Sequence, residues 1–289
     1  MDTEKLYSFW MKNRNWLRSA ELKLMGGEPT IHPEFLQVAD LGILLFNAVT
    51  LFTNGTNLQH IVHPDILASH WTDKFQFIIN GYTFNLNNWN VWKRYYKKIQ
   101  LHFVIPKDNI KAIINKINHI ISENRSNQLH FIISGDTQLN IFDEKILADY
   151  RENYIYGLTS IIPKLQKHRF SYSFDHIFPS CFWTSDMISE LHRNDIEPVH
   201  LQRQSCCDRI LGLLDTNFDL WYCNQTRLKI GNVFVNGKPR SMEEIHRMIR
   251  DMPALKEKSL PIRCQECPAI STCKSACWFI HTQDLSSIS

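Results

Sequence analysis

The sequence contains no apolar run long enough to cross a bilayer, no block of a single charge sign, and no cysteine before Cys181. Its longest apolar stretch, Leu41 to Phe52, falls short of the roughly 20 residues a spanning helix needs and is broken by Asn47. That excludes a membrane-embedded reading and points to a buried element. The start, Met1-Asp2-Thr3-Glu4-Lys5, lacks the basic-then-apolar pattern of a secretory signal, so a cytoplasmic location is expected. Basic and acidic residues nearly cancel, 32 against 29, so nothing calls for nucleic acid or an anionic membrane surface. A small molecule or a peptide fits better as partner. The histidines, His63 and His70 among them, show no metal-ligand spacing, and no internal repeat or low-complexity tract is evident.

What is present can bury a sizeable core: 44% of the residues are hydrophobic and 12% aromatic in a chain of 289. Short β-rich apolar runs recur at Leu22–Met25, Val49–Phe52, Phe75–Ile79, Leu101–Ile105 and Leu129–Ile133. Between them lie helical patterns at Glu34–Phe46, Trp89–Lys98 and Ile110–Glu123, the last with Ile113, Ile114, Ile117, Ile120 and Ile121 at helical spacing. This alternation predicts an α/β fold with a parallel sheet. Gly26-Gly27, Asn54-Gly55 and Asn80-Gly81 follow the first three runs as turns, at the strand ends where such sheets place their ligand sites. From about Gln202 the texture changes, with dense cysteines and one helical pattern at Met242–Met252. A domain boundary is therefore expected between Cys181 and Gln202.

Reduced thiols are the expectation in the cytoplasm, where a dense cysteine group holds metal rather than disulfides. Cys264, Cys267, Cys273 and Cys277 lie within a short span. A turn between cysteines two residues apart brings both sulfurs to one side, and soft thiolates select zinc or iron–sulfur clusters. Spacing alone leaves those two open. Upstream, Cys206-Cys207 is separated from Cys223 by the turn signal Asp215-Thr216-Asn217 and the strand-like Phe218–Tyr222, a hairpin that would bring two ligands together. Adjacent cysteines in extended chain point opposite ways, so one of the pair, Cys207, is the expected ligand. Cys181, set among aromatics, reads as a core thiol.

The segment Leu22-Lys23-Leu24-Met25-Gly26-Gly27-Glu28-Pro29-Thr30-Ile31-His32-Pro33 reads as a strand, a double-glycine turn and a helix start near Pro33-Glu34-Phe35. Glycine permits positive φ and lets bare backbone approach a ligand, and Glu28 could receive an ammonium group. His32 reads as a helix-start residue. Thr53, Asn54 and Asn80 read as turn residues, and Trp89, Trp92, Tyr95 and Tyr96 as core.

Together, the glycine turn and the cysteines resemble the radical S-adenosylmethionine superfamily, in its peptide-modifying branch with a C-terminal SPASM or twitch domain. Gly26-Gly27-Glu28-Pro29 is similar to the motif whose backbone engages the amino group of S-adenosylmethionine. Leu51-Phe52-Thr53-Asn54-Gly55-Thr56 is similar to the ending of the next strand. The series Cys207, Cys223, Cys264, Cys267, Cys273, Cys277 follows the SPASM order. The resemblance implies an incomplete (β/α)6 partial barrel over residues 1–200 and a small cysteine-rich auxiliary domain over 201–289. It further implies S-adenosylmethionine at Gly26, Gly27, Glu28 and Pro29, and a peptide or protein substrate. Cys207, Cys223 and Cys277 would serve a first auxiliary 4Fe–4S cluster, and Cys264, Cys267 and Cys273 a second. Zinc is the alternative metal.

Three departures shape the expectation. The family's Cys-x3-Cys-x2-Cys segment, which holds the catalytic cluster, has no counterpart before Gly26. The chain is therefore expected to be truncated, unable to cleave S-adenosylmethionine alone, and open to a partner that supplies the segment. The alternative is a non-catalytic cluster- or zinc-binding scaffold for peptides. Phe218 stands where the family has glycine, with Asn217 expected to make the turn instead, and a final SPASM cysteine after Cys277 is absent. Without the first strand, the edge of Leu22–Met25 would lie open to pairing.

Overall fold

The structure is a computed structural model that describes residues 1–57, 74–85, 99–123, 129–136, 144–175, 178, 182–197, 212–221 and 229–251. Six strands form the main sheet: β1 (Glu21–Leu24), β2 (Ala48–Thr53), β3 (Phe75–Asn80), β4 (Ile99–Ile105), β5 (His130–Gly135) and β6 (Ser171–Asp175). They are hydrogen-bonded in chain order, β1-β2-β3-β4-β5-β6. The pairs β1/β2, β4/β5 and β5/β6 are parallel. The parallel α/β sheet is the one the alternation of apolar runs predicts, and an order without reversal is that of a (β/α) barrel wall rather than of a doubly wound sheet, as the family resemblance implies. All five expected strands are present to within a residue or two at either end. The helical pattern at Trp89–Lys98 lies outside the described residues.

Two compact units divide the chain. One joins Met1–Phe77 to a C-terminal stretch whose described residues are 212–221 and 229–251, and the other contains the described residues from Ile78 to Glu197.

In the first unit, helix α1 (Thr3–Lys12) starts at Asp2, whose side chain accepts from the Lys5 amide, and the short α2 (Arg14–Leu17) follows. Leu6, Phe9 and Trp10 line one face of α1 at helical spacing and are buried, as is Leu17. They join Leu45 and Phe46, at the end of α3 (Phe35–Leu45), and Phe218, Leu220, Val233, Met242 and Ile245 in one apolar cluster. The last five residues belong to a small antiparallel sheet of β7 (Leu213–Leu214), β8 (Asp219–Trp221) and β9 (Lys229–Asn232), to the chain beside it, and to helix α7 (Met242–Arg250). A ribbon of β10 (Phe234–Val235) and β11 (Lys238–Pro239) lies between β9 and α7 in sequence. Asn13, 4% exposed, ties the N-terminal helices to the start of α7. Its Nδ2 donates to the carbonyls of Phe9 (2.9 Å) and Arg240 (3.0 Å), and its Oδ1 accepts from the Met242 amide (2.8 Å). A Ser241–Glu244 capping box starts α7.

The β7–β8 hairpin is built by Asp215. Its Oδ1 accepts from the amides of Asn217 and Asp219, and its carbonyl accepts from Phe218. The expected turn is therefore present, but Phe218 rather than Asn217 takes the left-handed conformation, with φ of 63°. Phe218 is held there because its ring is buried edge-on against Phe234 at 5.1 Å.

In the second unit, α4 (Ile110–Glu123), α5 (Glu144–Lys167) and α6 (Ser185–Arg193) accompany the sheet. The isoleucines of α4 at 113, 117 and 120 are fully buried, and Gly157 of α5 lies directly against Ile105 and Ile110, where a Cβ would come within 3.2 Å of both side chains. No described helix is long and apolar enough to cross a membrane.

Two opposing terms decide the outcome at Phe218. Glycine would relieve about 1–2 kcal/mol of left-handed strain, while removing a buried phenyl ring costs about 3–5 kcal/mol. Phe218→Gly is expected to lower unfolding stability by about 2 kcal/mol in urea titration. A gain in stability would show that the ring contributes less than its burial indicates.

Candidate functional site

The site begins where β1 ends. After Met25 the chain turns through Gly26 (φ 95°) and Gly27 (φ 53°), conformations that disfavour any residue with a Cβ. Both glycines are exposed, and no atom lies within 4 Å of where a Cβ would sit. These glycines are thus required for backbone direction rather than for close packing, and the turn presents bare peptide groups outward. Pro29 opens a single 3-10 turn, Pro29–Ile31, that Glu28 caps.

Glu28 is the centre of the arrangement. Its Oε1 accepts from the Thr30 amide (3.2 Å), the Thr30 hydroxyl (2.5 Å) and the Thr53 hydroxyl (2.7 Å). Its Oε2 accepts from the Asn54 amide (2.7 Å). A carboxylate has about four accepting positions, and three of the four bonds fall on one oxygen. Oε2 is therefore the oxygen with accepting capacity to spare. Thr30 and Thr53 are buried, which shields these charge-assisted bonds from water. A further bond, from Asn57 Nδ2 to the Thr30 carbonyl (3.1 Å), joins the same two loops.

Thr53 and Asn54 also shape the loop after β2. Gly55, at φ 73°, donates its amide to the Thr53 hydroxyl, and the Asn54 side chain accepts from the Thr56 amide and hydroxyl. Their role as turn residues is present as expected, and they hold Glu28 in addition. His32 accepts from the Glu34 amide through Nδ1 just before α3, the helix-start role its position predicts. Glu21 adds a second side-chain tie between β1 and β2 by accepting from the buried Thr50 hydroxyl (2.5 Å).

In the second unit, polar groups cluster at the carboxyl ends of β3, β4 and β5. Asn80 makes the turn after β3, its Oδ1 accepting from the Tyr82 amide. Gly81 lies so close to Phe103 that an added Cβ would overlap the ring. The Tyr82 hydroxyl donates to the Val104 carbonyl (2.5 Å), and burial, then the negative charge of Asp136, push its pKa up to about 12. Tyr150 of α5 donates to the Ile105 carbonyl (2.9 Å) and accepts from the Asp136 amide (2.7 Å). Burial raises it far above an ordinary phenol, with the Asp136 amide pulling the other way. Both phenols stay protonated at neutral pH and act as hydrogen-bonding posts. Away from those ends, His102 in the middle of β4 meets the Ser134 hydroxyl at 2.7 Å, and His130, at the amino end of β5, meets the hydroxyls of Ser171 (3.0 Å) and Ser173 (2.8 Å). Neither histidine has any local sequence signature. The positions that pair them are 32 to 43 residues away.

All eight cysteines, including the expected ligands Cys207, Cys223, Cys264, Cys267, Cys273 and Cys277 as well as Cys181 and Cys206, lie outside the described residues. Among the described residues, no three His, Cys, Asp or Glu side chains group as a metal site.

No family model matches the chain, and no curated protein matches its sequence. Solved structures do match its fold. Native anSMEcpe with bound AdoMet and the Kp18Cys peptide superimposes with a TM-score of 0.53 at 15% identity, over 95% of this chain and 80% of that one. Streptococcus suis SuiB gives a TM-score of 0.55 at 12% identity, over 96% of this chain and 67% of that one. SuiB bound to its precursor peptide SuiA gives 0.52 at 14% identity, over 93% of this chain and 65% of that one. The chain thus shares the fold of these proteins and spans about two thirds to four fifths of their length.

The Glu28 tie can be tested directly. In Glu28→Gln the amide oxygen will keep the three donors now on Oε1, which turns the new NH2 group towards the Asn54 N–H. Facing donors cost about 1–3 kcal/mol, so hydrogen exchange at the Asn54 amide is expected to accelerate about tenfold or more. An unchanged rate would mean that Glu28 does not hold the second loop.

Proposed function

We propose that this chain is a radical S-adenosylmethionine-type protein of the peptide-modifying kind, which receives S-adenosylmethionine at Gly26-Gly27-Glu28-Pro29 and carries auxiliary 4Fe–4S clusters on its C-terminal cysteines. The observation that carries this reading is the position of the glycine turn. It lies at the carboxyl end of a strand in a consecutively ordered sheet, within a fold shared with structures that hold AdoMet and peptides. The left-handed backbone at Phe218, where the resemblance expects glycine, adds support from the other end of the chain.

The residues fit the groups they would hold. Gly26 and Gly27 offer unobstructed peptide groups, and the spare acceptor of Glu28 suits an ammonium. Pro29 and the Glu28 cap fix the 3-10 turn that follows the glycines. Cys207, Cys223 and Cys277 would hold one cluster and Cys264, Cys267 and Cys273 another, a donor set of soft thiolates that matches iron–sulfur chemistry and a reducing cytoplasm. The cluster-bearing region is residues 201–289, following a barrel region of residues 1–200. S-adenosylmethionine, when bound beside a reducing cluster, supplies one-electron chemistry that no side chain offers. With no cysteine before Cys181, this chain holds no Cys-x3-Cys-x2-Cys segment of its own. Cleavage of the cofactor would need that segment supplied to these residues, and the reaction would then act on a peptide substrate.

Anaerobic reconstitution followed by metal analysis and calorimetry tests the proposal. The expected result is a brown protein with iron and acid-labile sulfide in equal amounts. It should bind S-adenosylmethionine and form no 5′-deoxyadenosine above a no-protein control. Gly27→Val, which puts a β-branched residue in left-handed backbone, is expected to weaken that binding about tenfold or more. Stoichiometric zinc without sulfide would overturn the cluster assignment, and absence of cofactor binding would overturn the site.

A further inference from the structure

Three Asn-Gly pairs occur in the sequence, Asn54-Gly55, Asn80-Gly81 and Asn236-Gly237. Asparagine before glycine is open to intramolecular attack, because no Cβ shields the following backbone nitrogen from the asparagine Cγ. The fold treats the three pairs differently. The Gly55 amide donates to the Thr53 hydroxyl (2.9 Å), and Asn54 Oδ1 accepts from the Thr56 amide (2.8 Å). The buried Gly81 donates its amide to the His102 carbonyl (2.8 Å), and Asn80 Oδ1 accepts from the Tyr82 amide (3.0 Å). Asn236 and Gly237 are both exposed, and neither the Asn236 side chain nor the Gly237 amide has a hydrogen-bond partner among the described residues. They form the two-residue turn between β10 and β11, at φ of 51° and 75°. Behind that turn the ribbon is only the pairs Val235/Lys238 and Phe234/Pro239, and Pro239 has no N–H to give. So short a hairpin opens readily, which frees the turn to bring Cγ to the nitrogen.

We infer that Asn236 is a modification site, at which this chain deamidates through a succinimide, and that the isoaspartate product loosens the β10–β11 ribbon from α1. In the first step the Gly237 nitrogen gives up its proton and bonds to Asn236 Cγ, the Cγ–Nδ2 bond breaks, and ammonia leaves. Water then opens the ring at either carbonyl, giving aspartate or isoaspartate, with no oxidant or reductant involved. Isoaspartate routes the main chain through Cβ and Cγ, so it adds an atom to the backbone of a turn fitted to two residues. Both strands are anchored beside that turn. The Phe234 ring lies edge-on against Phe218 at 5.1 Å, and the Pro239 carbonyl accepts from Lys12 Nζ (2.6 Å). Just beyond, the Arg240 amide donates to the Val233 carbonyl (2.7 Å), and the Arg240 carbonyl accepts from Asn13 Nδ2 (3.0 Å). With register fixed on both sides, the longer turn is accommodated by parting the strands, and the Arg240–Val233 bond opens.

The test incubates the full chain at mildly alkaline pH and follows the three pairs by peptide mapping, since each conversion adds about 1 Da. Asn236 is expected to convert about tenfold or more faster than Asn54 or Asn80, whose following glycine amides must first break a hydrogen bond. In urea the three rates should converge. An isoaspartyl methyltransferase should label the aged chain in the peptide that contains Asn236. Hydrogen exchange at the Arg240 amide should accelerate about tenfold in the aged chain. It should stay unchanged in equally aged Asn236→Gly, whose turn accepts positive φ and has no side-chain amide to lose. Equal rates at the three pairs in the folded chain, or faster conversion at Asn54 or Asn80, would overturn the site. Rates that stay apart in urea would assign the difference to local sequence and overturn the structural argument. Unchanged Arg240 exchange in the isoaspartate-bearing chain would overturn the loosening.

Discussion

One carboxylate holds the candidate cofactor site in shape. Glu28 follows two glycines whose backbone conformations give the turn little rigidity of its own, and it collects donors from Thr30, Thr53 and Asn54. Because the last two belong to the loop after β2, a single side chain joins the carboxyl ends of two adjacent strands. Freedom in the glycines and restraint at Glu28 are complementary. The first lets peptide groups face outward, and the second stops them from wandering.

The second constraint is the burial of the N-terminal helices. The first residues of a domain are commonly loose unless something ties them down. Leu6, Phe9 and Trp10 instead pack with Phe218, Val233, Met242 and Ile245, and Asn13 bridges α1 to the start of α7 through hydrogen bonds to Arg240 and Met242. Residues more than 200 positions apart therefore belong to one compact unit. The same apolar cluster keeps Phe218 in a backbone conformation that glycine usually takes, since the ring cannot leave without opening a cavity.

Much of this was legible from local pattern. Strand and helix positions follow from periodicities of two and 3.6, and the turns after β1, β2 and β3 follow from Gly and Asn. Helix α5 has its signal too, in Leu147, Tyr150, Tyr154, Leu158, Ile161 and Leu165. Strand β6, Ser-Tyr-Ser-Phe-Asp, alternates as a strand should, but nothing local says that its serines meet a histidine on β5. The Asp215 turn was readable, whereas the residue within it that takes positive φ was not. That choice belongs to ring burial against Phe234, a contact between strands.

By itself, the sequence determined the alternating α/β elements, the glycine turn at residues 26–29 and the spacing of the cysteines, because each depends on residues within a few positions of one another. Only the tertiary structure decided which donors from the loop after β2 reach Glu28, which hydroxyls meet His102 and His130, and how the N-terminal helices pack with β8 and α7. Those outcomes depend on groups 25 to 229 residues apart, whose meeting is set by strand order and register rather than by any neighbouring residue.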